Sequence, residues 1–324
     1  MTNIPVSAAA LAALLCLAPG LASASPLLPT FMSVDVPDKT AGAVAPGTNI
    51  QIGVNSGTGD SRPTFTDDVY LNTLTFAGTS FTGTTNFKAA QSVTVLSGAG
   101  QVNVEWGDND TGDDGDPNPM ATLGQPDTVK ETTDPTIQNA GLLEVFSSLS
   151  LSEMTDGEGG AAHSYEVIFS NGITDNADGA DDVPEIVLFE RGRNDSFALS
   201  LILGRTSEGL VLSDALSMSS ATFAPLGMNI DTTEIGGGQQ MGVAGFDLDA
   251  WGIDAGATVF GFVFEGSGAD LSGVLASGQT DQFVPPLPED PIAVMPLPAG
   301  AWLLMAGLGG LAALRRRKGA SPTA

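Results

Sequence analysis

The sequence predicts an all-β fold, an antiparallel β-sandwich of the jelly-roll kind, for the large middle part of the chain. Short segments rich in Val, Ile, Phe and Thr recur from residue 49 to residue 264, and Gly, Asn, Asp and Pro separate them. Such side chains fit a half-buried pleated surface, and many short strands with turn residues between them are typical of sandwiches. A helix pattern is found only over residues 139–153, where the apolar residues have mixed spacing. The fold class follows from these two observations.

The N-terminal segment has the properties of a secretory signal peptide. Residues 5–21 are uncharged and consist mostly of Ala and Leu. Ala22, Ser23 and Ala24 follow them as a small-residue cleavage site, which predicts a mature chain that begins at Ser25. Residues 1–24 are therefore expected to direct export by the Sec pathway. Cys16 is the only cysteine and leaves with this segment, so the exported body has no disulfide.

Residues 25–284 form the predicted acidic sandwich domain, and its strand signals can be placed in chain order. The predicted strands are residues 49–54, 69–76, 79–87, 92–96, 101–106, 164–169, 184–190, 196–203, 243–248 and 258–264. Ser97, Gly98, Ala99 and Gly100 lie between the fourth and fifth segments, which indicates a hairpin. Residues 139–153 are expected to form a short helix or a turn between sheets. Residues 107–135 and 171–183 read as acidic loops.

The net charge limits the classes of partner. The chain has 38 acidic and 11 basic residues, and four of the basic ones lie together at residues 315–318. The remaining 7 basic residues leave the exported body at a charge near −31. This charge excludes nucleic acid as a natural partner and argues against docking on anionic lipid. A strongly acidic surface favours solubility in salty water, and it attracts divalent cations.

Residues 174–185 have the spacing of a calcium-binding loop. Ca²⁺ loops of the EF-hand type place oxygen ligands at positions 1, 3, 5, 9 and 12 with Gly at position 6. Counting from residue 174 puts Asn176, Asp178, Asp182 and Glu185 at positions 3, 5, 9 and 12, with Gly179 at position 6. Position 1 is Thr, and the flanking segments read as strands, so the EF-hand fold is not expected. The sequence leaves open a bound Ca²⁺ or a solvated acidic turn.

Catalytic residues are not indicated. His163 is the only histidine, and no G-x-S-x-G motif is present to accompany it. It lies at the start of a predicted strand, and we interpret it as a polar residue at a strand end. A pair of carboxylates for glycoside hydrolysis stays open, but among 38 acidic residues a pair carries no information. We expect no enzyme activity and no catalytic site.

Aromatic residues offer a possible carbohydrate-binding surface. The exported body contains Trp106, Trp251, Tyr70 and Tyr165, and sugar rings stack on exposed aromatic side chains. For each of the four, packing in the core is the better interpretation. Trp106 opens the acidic loop, and it is therefore the candidate for ligand stacking.

The C-terminal segment is predicted to anchor the chain in a membrane. Residues 285–298 are a Pro-rich linker, and residues 299–314 contain no charged side chain. A helix of that length measures roughly 24 Å, and the uncharged residues 292–298 bring it to the ~30 Å of a hydrocarbon core. The basic tail, residues 315–324, follows, and its stop-transfer residues are Arg315, Arg316, Arg317 and Lys318. They predict that the tail faces the cytoplasm and that the body lies on the far side.

The linker ends in a short motif made of Met295, Pro296, Leu297, Pro298 and Ala299. With the apolar helix and the Arg cluster, this motif resembles the PEP-CTERM type of sorting signal, in its V-P-L-P-A variant, with Met in place of the first Val. The resemblance covers about thirty residues. It implies recognition by an exosortase, a membrane-embedded protease, which cuts near the motif. The protein would then pass from an inner-membrane anchored intermediate to the cell surface or the extracellular space.

The sequence as a whole predicts a non-enzymatic protein of the cell surface or extracellular matrix. Its expected role is structural or adhesive, in association with exopolysaccharide and with Ca²⁺ as the candidate cation. The first alternative is a carbohydrate-binding module with its ligand face near Trp106, and the second is a surface glycoside hydrolase.

Overall fold

The computed structural model describes residues 26–36, 39–44, 50–53, 64–65, 69–106, 134–157, 160–175, 183–231 and 239–287. Within these ranges the chain forms nineteen strands in four sheets, and most strand pairs are antiparallel. The predicted all-β class is therefore confirmed. None of the helices within the described ranges has both the length and the apolar character needed to cross a membrane.

The elements of the described ranges are numbered in chain order. The strands are β1 (Phe31–Val36), β2 (Lys39–Val44), β3 (Ile50–Gly53), β4 (Thr64–Phe65), β5 (Tyr70–Phe76), β6 (Thr79–Thr82), β7 (Phe87–Lys88), β8 (Ala90–Ser97), β9 (Val102–Trp106), β10 (Glu153–Gly157), β11 (His163–Thr174), β12 (Ile186–Arg191), β13 (Phe197–Thr206), β14 (Gly209–Met218), β15 (Ala224–Asp231), β16 (Gln239–Phe246), β17 (Thr258–Gly266), β18 (Asp270–Ser277) and β19 (Phe283–Val284). The helices are α1 (Gly83–Asn86) and α2 (Pro135–Ser147), and 3-10 turns lie at Ser220–Thr222, Leu248–Trp251 and Thr280–Gln282.

Two large sheets contain most of the strands. A seven-stranded sheet has the order β4-β3-β15-β16-β12-β18-β7. A six-stranded sheet has the order β14-β13-β17-β11-β19, and β8 pairs with β11 beside it. The four-stranded sheet β2-β1-β5-β6 and the two-stranded sheet β10-β9 complete the set in the described ranges. Parallel pairing is found where β3 joins β15 and β4.

The seven-stranded sheet is buried on both faces. Successive side chains of a strand point to opposite faces, and in β12 Ile186 and Leu188 lie in one core while Val187 and Phe189 lie in the other. The first core also contains the inward residues of the six-stranded sheet, and the second contains those of the four-stranded sheet. Every residue of β12 and β18 is buried as a result. The two large sheets form the predicted sandwich, and the four-stranded sheet adds a third layer.

Aromatic stacking fills the first core. The ring centroid of Phe264 lies 4.7 Å from that of Tyr165 and 5.3 Å from that of Phe197. Each such pair stabilises the fold by about 0.5–1.5 kcal/mol beyond the area it buries. The indole N–H of Trp251 donates a hydrogen bond of 2.9 Å to the carbonyl of Leu199. This bond satisfies the polar atom of a side chain that is otherwise surrounded by the core.

The predicted hairpin over residues 92–106 is wrong. Gly98 and Gly100 have positive φ and do form a turn, but β8 pairs with β11 and β9 pairs with β10. Turn residues determine only that the chain reverses. The partner of each strand depends on which sheet edge buries its apolar side chains, and here Val93 of β8 and Val102 of β9 reach the same core from different sheets.

The helix lies earlier than predicted. It begins at Pro135, because Pro suits the first helical turn and the carboxylate of Asp134 accepts a hydrogen bond of 2.9 Å from the backbone N–H of Thr136. Strand β11 also extends into the predicted loop at residues 171–183. Ile173 is fully buried and pairs with Val259, so the strand continues to Thr174.

Candidate functional site

Most of the predicted site residues lie outside the described ranges. These are the signal-cleavage residues Ala22, Ala24 and Ser25, the sorting motif at residues 295–299, the stop-transfer residues 315–318, and the Ca²⁺ candidates Asn176, Asp178 and Asp182. Trp106 ends β9 and pairs with Glu153, and only its backbone is among the described features. The sorting signal, the Ca²⁺ site and sugar stacking on Trp106 therefore stay predictions.

The fourth Ca²⁺ candidate, Glu185, lies in the interior just before β12. Its side chain is 2% exposed, and its carboxylate is 3.4 Å from the side-chain amide nitrogen of Gln282. Burial first, and then the nearby charges of Asp247 and Asp175, raises its pKa to about 8. At neutral pH this carboxyl is therefore mostly protonated, and a cation would have to displace the proton. No group of three or more His, Cys, Asp or Glu side chains in the described ranges is arranged to hold a metal ion.

A second buried glutamate lies at the other end of β12. Glu190 is 1% exposed, and one of its carboxylate oxygens accepts a hydrogen bond of 2.7 Å from the backbone N–H of Arg193. Burial raises its pKa to about 8, against the opposing effect of that hydrogen bond. Next to it, the buried Arg191 donates two hydrogen bonds to one oxygen of Asp270, at 3.0 and 2.5 Å. These groups are enclosed by the sheets, so their role is structural.

His163 begins β11, as predicted, and its ring is buried. The ring stacks on Phe264 at 5.2 Å and on Tyr165 at 6.1 Å between centroids. Burial lowers its pKa, so the imidazole is neutral at physiological pH, and its Nδ1 lies 3.3 Å from the carbonyl oxygen of Ala161. A base enclosed in this way has no access to a substrate in solution.

The aromatic residues divide between the core and one cleft. Tyr165 and Trp251 are buried, in agreement with the interpretation of both as core residues. Burial raises the pKa of the Tyr165 hydroxyl, so that group stays neutral. Tyr70 is only half-buried and lines a cleft of about 510 Å³. That volume lies within the roughly 300–1,000 Å³ of small-molecule sites.

The cleft opens where three sheets and the C-terminal end of α2 meet. Its walls come from the start of β5, the segment from α1 to the start of β8, the turn after α2, and β11. Backbone hydrogen bonds of 2.8 Å join these segments, from Leu71 to Leu149 and from Ser170 to Ala89. The walls are thus part of the sheet framework, and their relative positions do not depend on a ligand.

The lining combines apolar and uncharged polar side chains with one cation. The apolar residues are Leu71, Phe87, Ala89, Ala90 and Leu149. The uncharged polar residues besides Tyr70 are Thr84, Ser147, Ser148, Ser170 and Asn171. Among the described residues that line the cleft, Lys88 has the only charged side chain. Its ammonium donates a hydrogen bond of 2.6 Å to the carbonyl of Thr84 and lies 4.9 Å from the ring centroid of Phe283.

Among the described residues the ammonium of Lys88 has only neutral contacts, as does the guanidinium of Arg193, whereas two other arginines are paired with acids. Arg191 is paired with Asp270, and Arg205 lies 3.9 Å from Glu166. Lys88, in contrast, contacts a neutral carbonyl and an aromatic ring. The sequence interpretation missed this residue, although one signal was present: only three lysines precede the basic tail in a chain with 38 acidic residues.

Comparison with known proteins adds no relative. The chain matches no protein-family model, and neither a curated protein nor a solved structure is significantly similar to it.

Proposed function

We propose that this protein is a non-enzymatic component of the cell surface or extracellular matrix, with a structural or adhesive role in association with exopolysaccharide. The C-terminal sorting signal of the exosortase type would deliver it, through an inner-membrane anchored intermediate. The proposal includes a jelly-roll-like body, which is supported by the way β11, β12 and β13 alternate between the two large sheets.

One observation carries the proposed role of the body. The cleft presents hydroxyl, amide and ammonium groups to solvent, and no carboxylate is among its described lining residues. Hydrolysis of a glycosidic bond needs two carboxyl groups on opposite sides of that bond. The buried acids Glu185 and Glu190 are enclosed and have raised pKa values. This arrangement favours binding over hydrolysis.

A carbohydrate-binding module is the second candidate, and the position of Tyr70 favours it. An aromatic ring beside several hydroxyl groups is a common way to hold a sugar, because the ring contacts the apolar face and the polar groups contact the hydroxyls. The ligand face would then be the cleft rather than the surroundings of Trp106. The two candidates are compatible, since an adhesive matrix protein needs a contact with the matrix.

The delivery step is tested in cells that process such a signal. The variant Pro296→Ala with Pro298→Ala is expected to stay in the membrane fraction at the uncut mass, because the motif is altered and the helix is retained. Pro286→Ala with Pro288→Ala is the matched control, with the same two changes at the same spacing in the linker. If the motif variant reaches the surface at the mature mass of the wild type, the sorting proposal fails.

A further inference from the structure

We propose that the cleft lined by Tyr70, Lys88 and Asn171 is a binding site for an acidic sugar, a uronate unit whose carboxylate contacts the ammonium of Lys88. The inference rests on the proposed function, because it takes an extracellular polysaccharide as the source of the sugar. Beyond the proposed function, the inference specifies where the polysaccharide binds and the chemical class of the sugar unit that is bound.

The position of the Lys88 ammonium is determined by its own contacts. Lys88 lies in the two-residue strand β7 and pairs with Ala276 of the buried strand β18. An ammonium has three N–H donors, and one of them binds the carbonyl of Thr84 at 2.6 Å. The ring of Phe283 at 4.9 Å adds a cation–π contact. The charge is therefore held at the cleft, and within the described part of the chain the other two donors have no hydrogen-bond partner.

The segment that supplies these contacts is tied to the sheet. Asn86 accepts a hydrogen bond of 3.2 Å from the backbone N–H of Thr82 and donates one of 2.9 Å to the carbonyl of Gly278. The first bond closes α1, and the second fastens it to the end of β18. Since the carbonyl of Thr84 lies inside this closed turn, the partner of the ammonium is in place before any ligand binds. Such preorganisation lowers the cost of binding.

The neutral contacts of Lys88 indicate the charge of its ligand. The exported body has a charge near −31, yet the described contacts of this half-buried ammonium are a carbonyl and an aromatic ring. Charge-assisted hydrogen bonds are roughly twice as strong as neutral ones, so a carboxylate on the ligand is the better partner. Repulsion from charges that lie more than a Debye length away, about 8 Å at physiological salt, is largely screened.

The rest of the lining indicates a polyhydroxylated ring. Ser148 and Ser170 carry hydroxyl groups that both donate and accept, and Asn171 carries an amide. The apolar side chains and the ring of Tyr70 offer a surface for the C–H face of a sugar. An amino acid fits less well, because no carboxylate among the described lining residues would pair its ammonium. An acyl chain fits less well, because so many of the lining groups are polar.

The test is a titration of the full-length chain, purified in detergent, at physiological salt. Three oligosaccharides of the same length and linkage are compared by calorimetry: one with uronate units, one with the parent neutral sugar, and one with a sulfated sugar. The uronate oligosaccharide is expected to bind most tightly. Lys88→Met keeps the apolar stem, and it should weaken uronate binding roughly ten- to hundredfold while neutral-sugar binding changes less than threefold.

Matched variants separate the cleft from bulk charge and from folding. Arg205→Met removes a positive charge elsewhere and should leave uronate binding unchanged. Lys88→Arg keeps the positive charge and should retain most of the uronate affinity that Lys88→Met loses. Ser147→Phe places a large side chain at the exposed edge of the cleft and should abolish binding of both sugars. Equal uronate affinity in wild type and Lys88→Met, tighter binding of the sulfated or neutral sugar, or no uronate binding by the wild type would each overturn the proposal.

The outcomes can be told apart from those of the delivery test. Lys88→Met is expected to reach the cell surface like the wild type, because the sorting motif is untouched. A protein that is delivered but binds no uronate contradicts the cleft proposal alone. A protein that binds uronate but never reaches the surface contradicts the proposed function alone.

Discussion

The two ends of β12 each place a glutamate in the interior, and their surroundings differ. Glu190 receives a hydrogen bond from the backbone N–H of Arg193 and lies next to the ion pair of Arg191 and Asp270. Glu185 faces the like charges of Asp247 and Asp175. Burial is the first cause of the raised pKa at both ends, about 8 in each case. Nearby acids also raise the pKa of Glu190, but there the backbone hydrogen bond is a larger effect than either of them, whereas at Glu185 the repulsion exceeds the backbone hydrogen bonds. A similar pKa can thus arise from a different ranking of the same effects, and variants can distinguish the two ends.

The largest expected effect comes from breaking the ion pair of Arg191 and Asp270, next to Glu190. Asp270→Ala leaves the buried guanidinium of Arg191 without its carboxylate, and this should lower the free energy of unfolding by about 3–5 kcal/mol. Urea denaturation at pH 7 measures the change. Glu166→Ala removes a more exposed partner of Arg205 at 3.9 Å, and as a control it should cost less than about 1 kcal/mol. Equal losses of stability in the two variants would contradict the description of the Arg191–Asp270 pair as the more deeply buried of the two ion pairs.

The next effect is the dependence of stability on pH. The folded pKa of each glutamate, about 8, lies above the ordinary value of 4.5. The folded state therefore holds protons that the unfolded state loses, and stability falls as pH rises from 4.5 to 8.

Glutamine variants test this pH dependence and separate the two ends of the strand. Glu185→Gln and Glu190→Gln should each flatten the fall, as measured by thermal unfolding from pH 5 to pH 8. At pH 8, Glu185→Gln should stabilise more, because repulsion from Asp247 and Asp175 is a larger effect at this carboxyl than the backbone hydrogen bonds it accepts. Glu190→Gln loses a charged acceptor for Arg193. If Glu190→Gln raised the stability at pH 8 more than Glu185→Gln does, the proposed difference between the two ends would be contradicted.

The smallest expected effect is that of Ca²⁺ on the end of β12 that carries Glu185. If the predicted Ca²⁺ loop uses Glu185, excess Ca²⁺ should raise the melting temperature. At a Ca²⁺ concentration of a hundred times Kd, the free energy of unfolding should increase by up to about 2.7 kcal/mol. The rise should vanish in Glu185→Gln and persist in Glu190→Gln. Calorimetry with and without a chelator measures it, and a melting temperature that Ca²⁺ leaves unchanged in the wild type would contradict the Ca²⁺ prediction.

The strands that alternate apolar and polar residues were the ones that could be predicted. The segments at residues 164–169 and 258–264 correspond to β11 and β17, and both alternate or are rich in β-forming residues. Strand β18 was missed, since its residues Asp270–Ser277 are small and mixed in polarity. It is a strand because two cores cover its two faces, and no property of its own eight residues shows that.

The candidate site could not be predicted for a related reason. Tyr70, Lys88, Ser148 and Asn171 are separated by up to a hundred residues of chain, and four different elements bring them together. The sequence indicates Trp106 as the ligand contact because it precedes an acidic loop. That criterion uses only its neighbours in the chain and not its surroundings in the fold. Lys88 is identified only by its position in the fold, at the cleft and with neutral groups around its ammonium among the described residues.

The sequence by itself determined the all-β class, the acidic charge of the body and the expected export and sorting segments at the two ends. These are local or additive properties, which follow from side-chain periodicity, turn residues and counts of charge. Only the tertiary structure decided which strands pair, that the seven-stranded sheet is buried on both faces, and that burial raises the pKa of the glutamates at the two ends of β12. The physical reason is that strand pairing and desolvation depend on contacts between residues distant in the chain, as does the cleft around Lys88.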